Sequence, residues 1–156
     1  MSLEKAQAHL AKYGLEKRII IPSESSATVE LAAEALGVKE DEIAKTMSFL
    51  LHDQPIVIVM SGQARIDNHK YKETFHVKAK MVPFEEVEEI IGHAPGGVCP
   101  FGVHPGVKVY LDVSLKKHEI VYPAAGTSAS ALRLTIAELE KCAEAQGWVD
   151  VCKDPA

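Results

Sequence analysis

The residues best equipped for chemistry lie in one stretch, Gly92 to Gly106. It holds five glycines and three prolines together with His93, Cys99 and His104. Glycine admits backbone angles closed to other residues and lets a ligand approach the main chain. Proline fixes its own φ and pushes the residue before it towards extended conformations. The mixture predicts a stiff loop of unusual shape. Its N–H groups, released from helix and ladder, suit a carbonyl, carboxylate or phosphate oxygen. The thiol and two imidazoles suggest two further chemistries. A metal site is one, although no CxxC, HxxxH or fourth ligand accompanies the three. A cysteine nucleophile with a histidine base is the other, although Cys99, between Val98 and Pro100, lacks the helix N-terminus that would lower its pKa.

Lys45 is the charged residue that stands out. It begins the run Lys45 to Leu51, which reads as a strand with Lys45, Met47, Phe49 and Leu51 on one face and Thr46, Ser48 and Leu50 on the other. A lysine among apolar companions either reaches solvent at the strand end or serves a polar ligand. A second loop of small residues, Ala124 to Ser130, offers hydroxyls and close backbone approach. Two such loops and one cation are the parts of a pocket. The sequence contains no Gly-x-Ser-x-Gly elbow, no Walker A loop and no dinucleotide fingerprint.

The elements around these residues predict one domain over residues 1–156. Ser2 to Tyr13 reads as a helix ended by Gly14, Arg18 to Ile21 as a strand stopped by Pro22, and Thr28 to Leu36 as a helix ended by Gly37. The polar Ser23–Ala27 joins the last two. Pro55 to Met60 is a near-continuous apolar strand, after a turn at His52 to Gln54. Asp67 caps a helix to about Phe75, and His76 to Lys80 is expected as a short edge strand. Pro83 is expected to start a helix with Phe84, Val87, Ile90 and Ile91 as its apolar stripe. Strands follow at Val107–Leu111, Glu119–Tyr122 and Leu132–Leu134. Thr135 and Glu138 form a capping box for a last helix, expected to close at Gly147. The fold class is α+β, with a mixed, barrel-like β-sheet surrounded by helices.

Composition narrows the function classes. The chain has 47% apolar and 25% charged residues, an ordinary globular balance. No apolar run is long enough to cross a membrane, and no signal-peptide pattern opens the chain. Three scattered cysteines make no disulfide framework, so an intracellular, cytoplasmic protein with reduced thiols is expected. A net charge of −5 argues against a general nucleic-acid binder. It leaves room for a local basic face, for which Arg65 to Lys80 is the candidate.

Taken together, Ala44-Lys45-Thr46, then Gly96-Gly97-Val98-Cys99-Pro100-Phe101-Gly102, then Ala125-Gly126, resemble the YbaK/ProX family of aminoacyl-tRNA deacylases. The same fold occurs as the editing insertion of bacterial prolyl-tRNA synthetases. The resemblance runs from about Leu31 to the last helix. It implies hydrolysis of the ester of misacylated tRNA, acting in trans on proline tRNA that carries a wrong small amino acid. It implies no metal and no organic cofactor. Its partners would be the acceptor end of the tRNA and a synthetase, prolyl-tRNA synthetase or another; it sets no oligomeric state. By matched position, Lys45 with Gly96 and Gly97 would be catalytic. Thr46, Pro100, Gly102 and Gly126 would contact substrate, with Ile21 and Val29 lining the amino-acid pocket.

These roles make physical sense. Ester hydrolysis needs a stabilised oxyanion and a positioned water. The Gly96-Gly97 N–H groups suit the first, and Lys45 can hold a carbonyl or the terminal phosphate. With no strong protein base in view, the tRNA's own ribose hydroxyl is expected to help position the water. The chain also departs from the family pattern. Ile19 to Ile21 and Val29 are aliphatic where cysteine- or alanine-editing members usually show aromatic or polar residues. Arg133 is the nearest match to an acidic residue after the late glycine. The alternative is a non-catalytic tRNA- or synthetase-binding module of the same fold. A hydrolase built on His93, Cys99 and His104 is a further rival.

Overall fold

The computed structural model describes residues 2–21 and 28–153. The Ser23–Ala27 connection therefore lies outside the described residues. At the centre is a hairpin of β2 (Ile43–Leu51) and β3 (Gln54–Ser61). His52 and Asp53 turn the chain with φ of 51° and 66°. Positive φ at both central residues is the type I′ pattern, whose twist matches that of the strands. β3 pairs in parallel with β5 (Lys108–Asp112), and β5 with β9 (Gly147–Val149). On the other side β2 runs parallel to β6 (Ile120–Pro123), which pairs antiparallel with β8 (Leu134–Thr135). The six strands lie in the order β8-β6-β2-β3-β5-β9 and curl into a half-barrel. Two short antiparallel ladders complete the strands: β1 (Ile19–Ile20) with β7 (Ala131–Leu132), and β4 (Arg65–Ile66) with β10 (Cys152–Lys153).

β3 separates two apolar clusters. Val57 and Val59 join the larger, with Phe101, Leu111, Leu10 of α1 (Ser2–Ala11) and Leu139 of α5 (Ile136–Cys142). Ile56, Ile58 and Met60 join the smaller, with Phe49 and with Tyr71 of α3 (Asn68–Phe75). All five strand residues are fully buried, as a strand covered on both faces requires. Four helix ends follow the sequence cues. Thr28 caps α2 (Val29–Leu36) by accepting from the Leu31 N–H, and Gly37 ends it at φ 69°. Asp67 accepts from His69 and Lys70 to start α3. Thr135 and Glu138 form the capping box of α5.

Four local expectations are corrected. His76 to Lys80 is not a strand: His76 ends α3 at φ 66°, and pairing with β2 comes only at Met81 opposite Phe49. Pro83 precedes a 3-10 turn, Phe84–Glu86, and α4 covers only Val87–Ile91. Phe84 is 75% exposed instead of forming part of an apolar stripe. The run Leu132–Leu134 splits around exposed Arg133 into β7 and β8, which pair with different partners. Finally, α5 ends at Cys142 and Glu144 turns the chain at φ 55°, so Gly147 opens β9 instead of closing the helix.

Candidate active site

A cleft of about 540 Å³ opens beside the first half of β2. Its walls are the start of α2 (Thr28, Val29, Ala32), the β2 residues from Ile43 to Ser48, the segment from Met81 to Phe84 with Val87, and Pro95, Gly96 and Val98 of the glycine-proline loop. Tyr122, Ala124, Ser130 and Ala131 close it from the side of the second loop. Lys45, Thr46, Gly96 and Val29 are thus brought together. Gly97, Pro100, Gly102, Gly126 and Ile21 are not among the lining residues.

Lys45 stands where two hollows meet, since it also lines a smaller one with Glu30, Glu40, Gln63 and Arg65. Its Nζ donates to the Ala64 carbonyl at 2.6 Å. Burial pulls its pKa below the ordinary lysine value, and Arg65 adds to the effect. Thr46, on the opposite face of the strand, buries its Oγ1 with no hydrogen-bond partner among the described residues. A buried hydroxyl without a partner is costly unless a ligand supplies one. Ser48, two residues on and 6% exposed, shares the cleft; the strand period puts it on the Thr46 face.

The glycine-proline loop divides at Val98. In the first half Gly97 N–H donates to the Ala94 carbonyl at 3.0 Å. With Pro95 second and Gly96 third at φ 91°, this is the type II turn pattern. The Gly97 N–H is therefore occupied, whereas Gly96 is exposed on the cleft wall and its N–H has no partner among the described residues. Gly97 instead serves close packing. A Cβ there would lie 2.6 Å from the Thr127 Cα and 2.7 Å from the Gly126 carbonyl. In the second half Pro100 and Gly102 line a separate hollow against α1, with His9, His104 and Glu144.

The second loop uses its own hydroxyls. Thr127 Oγ1 donates to Ser130 Oγ at 2.8 Å, Ser130 Oγ accepts the Thr127 N–H, and Thr127 Oγ1 accepts the Ala129 N–H. Gly126 turns that loop at φ 95°.

His93 and Cys99 are core groups. His93 is fully buried and donates from Nε2 to the Phe101 carbonyl at 2.6 Å. Burial holds its pKa below the usual imidazole value. Cys99 Sγ lies 3.6 Å from both His93 Nε2 and the Phe101 carbonyl, and burial pushes its thiol up to about 12. A buried, protonated thiol is no nucleophile. His104 takes no part in that contact. Among the described residues no three His, Cys, Asp or Glu side chains cluster as a metal would need, and no helix is long and apolar enough to cross a membrane.

Residues 23–142 match the family model of the aminoacyl-tRNA editing domain. The chain belongs to that family. It is 47% identical over 155 residues to the uncharacterized protein YwhH of Bacillus subtilis, covering 99% of each chain. It is 25% identical over 146 residues to the proline–tRNA ligase of Lactiplantibacillus plantarum, covering 93% of this chain and 25% of the ligase. The fold superposes with a TM-score of 0.87 and 29% identity, over 97% of both chains, on a crystal structure described as a "putative trans-editing enzyme for prolyl tRNA synthetase". Of the residues the sequence had singled out, the cleft beside β2 is lined by Lys45, Thr46, Gly96 and Val29.

Proposed function

We propose that this editing domain hydrolyses the ester between a mismatched small amino acid and the terminal adenosine of a tRNA, with proline tRNA as the first candidate. The observation that carries the reading is the meeting, in one cleft, of Lys45, the unpartnered Thr46 hydroxyl and the free Gly96 N–H. The Gly96 N–H faces the developing oxyanion, and Lys45 holds the ester carbonyl or the terminal phosphate. Thr46 bonds the aminoacyl group. Gly97 and Gly126 set the distance between the two loops, and Pro100 and Gly102 support the loop from behind. Val29, Ala32, Ala44 and Ala131 give the cleft a small aliphatic lining, which suits an amino acid with a small side chain. The attacking water is positioned by the neighbouring ribose hydroxyl of the substrate. With a net charge of −5, affinity for tRNA is weak and salt-sensitive, and a synthetase that delivers the tRNA is a natural partner.

Proline tRNA charged with alanine, cysteine or serine tests this directly. One of the three should lose its amino acid rapidly. Lys45→Ala should lower kcat/KM about 100-fold or more, as loss of an oxyanion-type donor does. Lys45→Met, which keeps the packing, should be equally slow at unchanged Tm. Measurable tRNA binding without deacylation of any substrate would establish the non-catalytic module instead.

A further inference from the structure

Phe84 is the most exposed of the large apolar side chains, at 75%, with Met81 at 54%. Both stand on the rim of the cleft that holds Lys45 and Gly96. Their exposure is built into the backbone. Val82, between them, is buried in the larger core, so Met81 beside it points outward, and the turn that starts after Pro83 carries Phe84 out of the extended run. The segment is fastened to β2 by the Leu50 N–H to the Lys80 carbonyl at 2.8 Å and the Val82 N–H to the Ser48 carbonyl at 3.1 Å. The extended Pro83 and the Glu86 N–H bonded to the Pro83 carbonyl then fix the turn that carries Phe84. A benzyl ring is thus held in water, beside the strand of the reacting groups, by a rigid support.

We infer that Phe84, flanked by Met81, is the stacking platform for the adenine of the tRNA's terminal nucleotide. The inference rests on the proposed deacylation and names the part of the substrate that the rim receives. Two side chains at a concave edge match one nucleobase. They fall far short of the roughly 1,000 Å² that a stable protein contact buries. The other large exposed apolar residues, Ile20, Ile21, Leu31 and Val113, do not line the cleft. Every base has a face that stacks on an aromatic ring, so the platform supplies affinity and leaves sequence choice to other parts of the tRNA.

The test pairs two proteins with two substrates: wild type and Phe84→Ala, on misacylated tRNA with its normal terminal adenosine and with an abasic ribose there. Phe84→Ala should raise KM about tenfold on the normal substrate, within the range of base–aromatic stacking. It should change nothing on the abasic one. Phe84→Trp should restore the wild-type KM. Equal effects of Phe84→Ala on both substrates, or none on either, overturn the platform while deacylation stands. A wild-type protein that hydrolyses neither substrate overturns the parent reading and this one together. Because Phe84 is exposed, its truncation leaves the core packing untouched.

Discussion

The two halves of the glycine-proline loop are both built on glycine and proline, yet they have opposite duties. From Ala94 to Val98 the chain makes a turn that sets Gly96, whose N–H has no partner among the described residues, on the cleft wall. From Pro100 to Gly106 it is fastened to the scaffold. Gly102, at φ 72°, donates its N–H to Nδ1 of His9 at 3.0 Å. The Nε2–H of the same imidazole donates to the Cys142 carbonyl at 2.6 Å, so one ring ties the loop to α1 and α5. The lesson is that glycine content marks a loop of special shape but does not say which side of it works. The free donor marks the working side, and the satisfied donor marks the support.

Within the loop, the largest effect on activity should come at Gly97, where the first half packs against the second loop. A Cβ there meets backbone of the second loop at 2.6 Å, and backbone cannot swing aside. Gly97→Ala should separate the two loops, displace Gly96 and cut kcat/KM at least about tenfold, with an overpacking cost of about 1–3 kcal/mol. Gly102→Ala should affect stability instead. It places a side chain at positive φ and 2.6 Å from the Lys5 carbonyl, so a loss of about 2–4 kcal/mol is expected from strain and overpacking together. The folded fraction should keep its kcat. A Gly102→Ala protein that stays stable but inactive would move catalysis to the second half. The gentlest probe is acid. Native His93 resists protonation below its ordinary pKa of 6.5, whereas the unfolded chain takes up the proton there. Stability is therefore full above pH 6.5 and falls as pH drops towards the folded-state value. A His93→Gln variant should flatten that part of the Tm-against-pH curve, with kcat at neutral pH retained.

Local signals carried much of this fold. Period-two alternation located β2 and with it Lys45; the apolar run located β3; Thr28, Gly37, Asp67 and the Thr135–Glu138 pair located helix ends. What escaped was decided by tertiary contacts. Nothing local distinguishes Phe84 on a helix stripe from Phe84 on an exposed turn, because the difference lies in the pairing of Met81 with Phe49. β9 and β10 are too short to show a period, and they form because β5 and β4 offer them edges. Lys45, Thr46 and Gly96 were legible as separate motifs. The assignment of Pro100 and Gly102 to the α1 side was not, since it depends on His9, 93 positions from Gly102.

The hydrogen bond from Lys45 to the Ala64 carbonyl has one more consequence. A free lysine side chain carries about 2 kcal/mol of rotamer entropy, which is lost when it closes on a ligand. Here one of three ammonium hydrogens already holds the chain in place, and two remain to be directed. The loss of disorder is absorbed when the protein folds. In the proposed reaction an arriving ester would meet an ammonium group whose stem is already ordered, so less of its binding free energy would go into ordering that side chain.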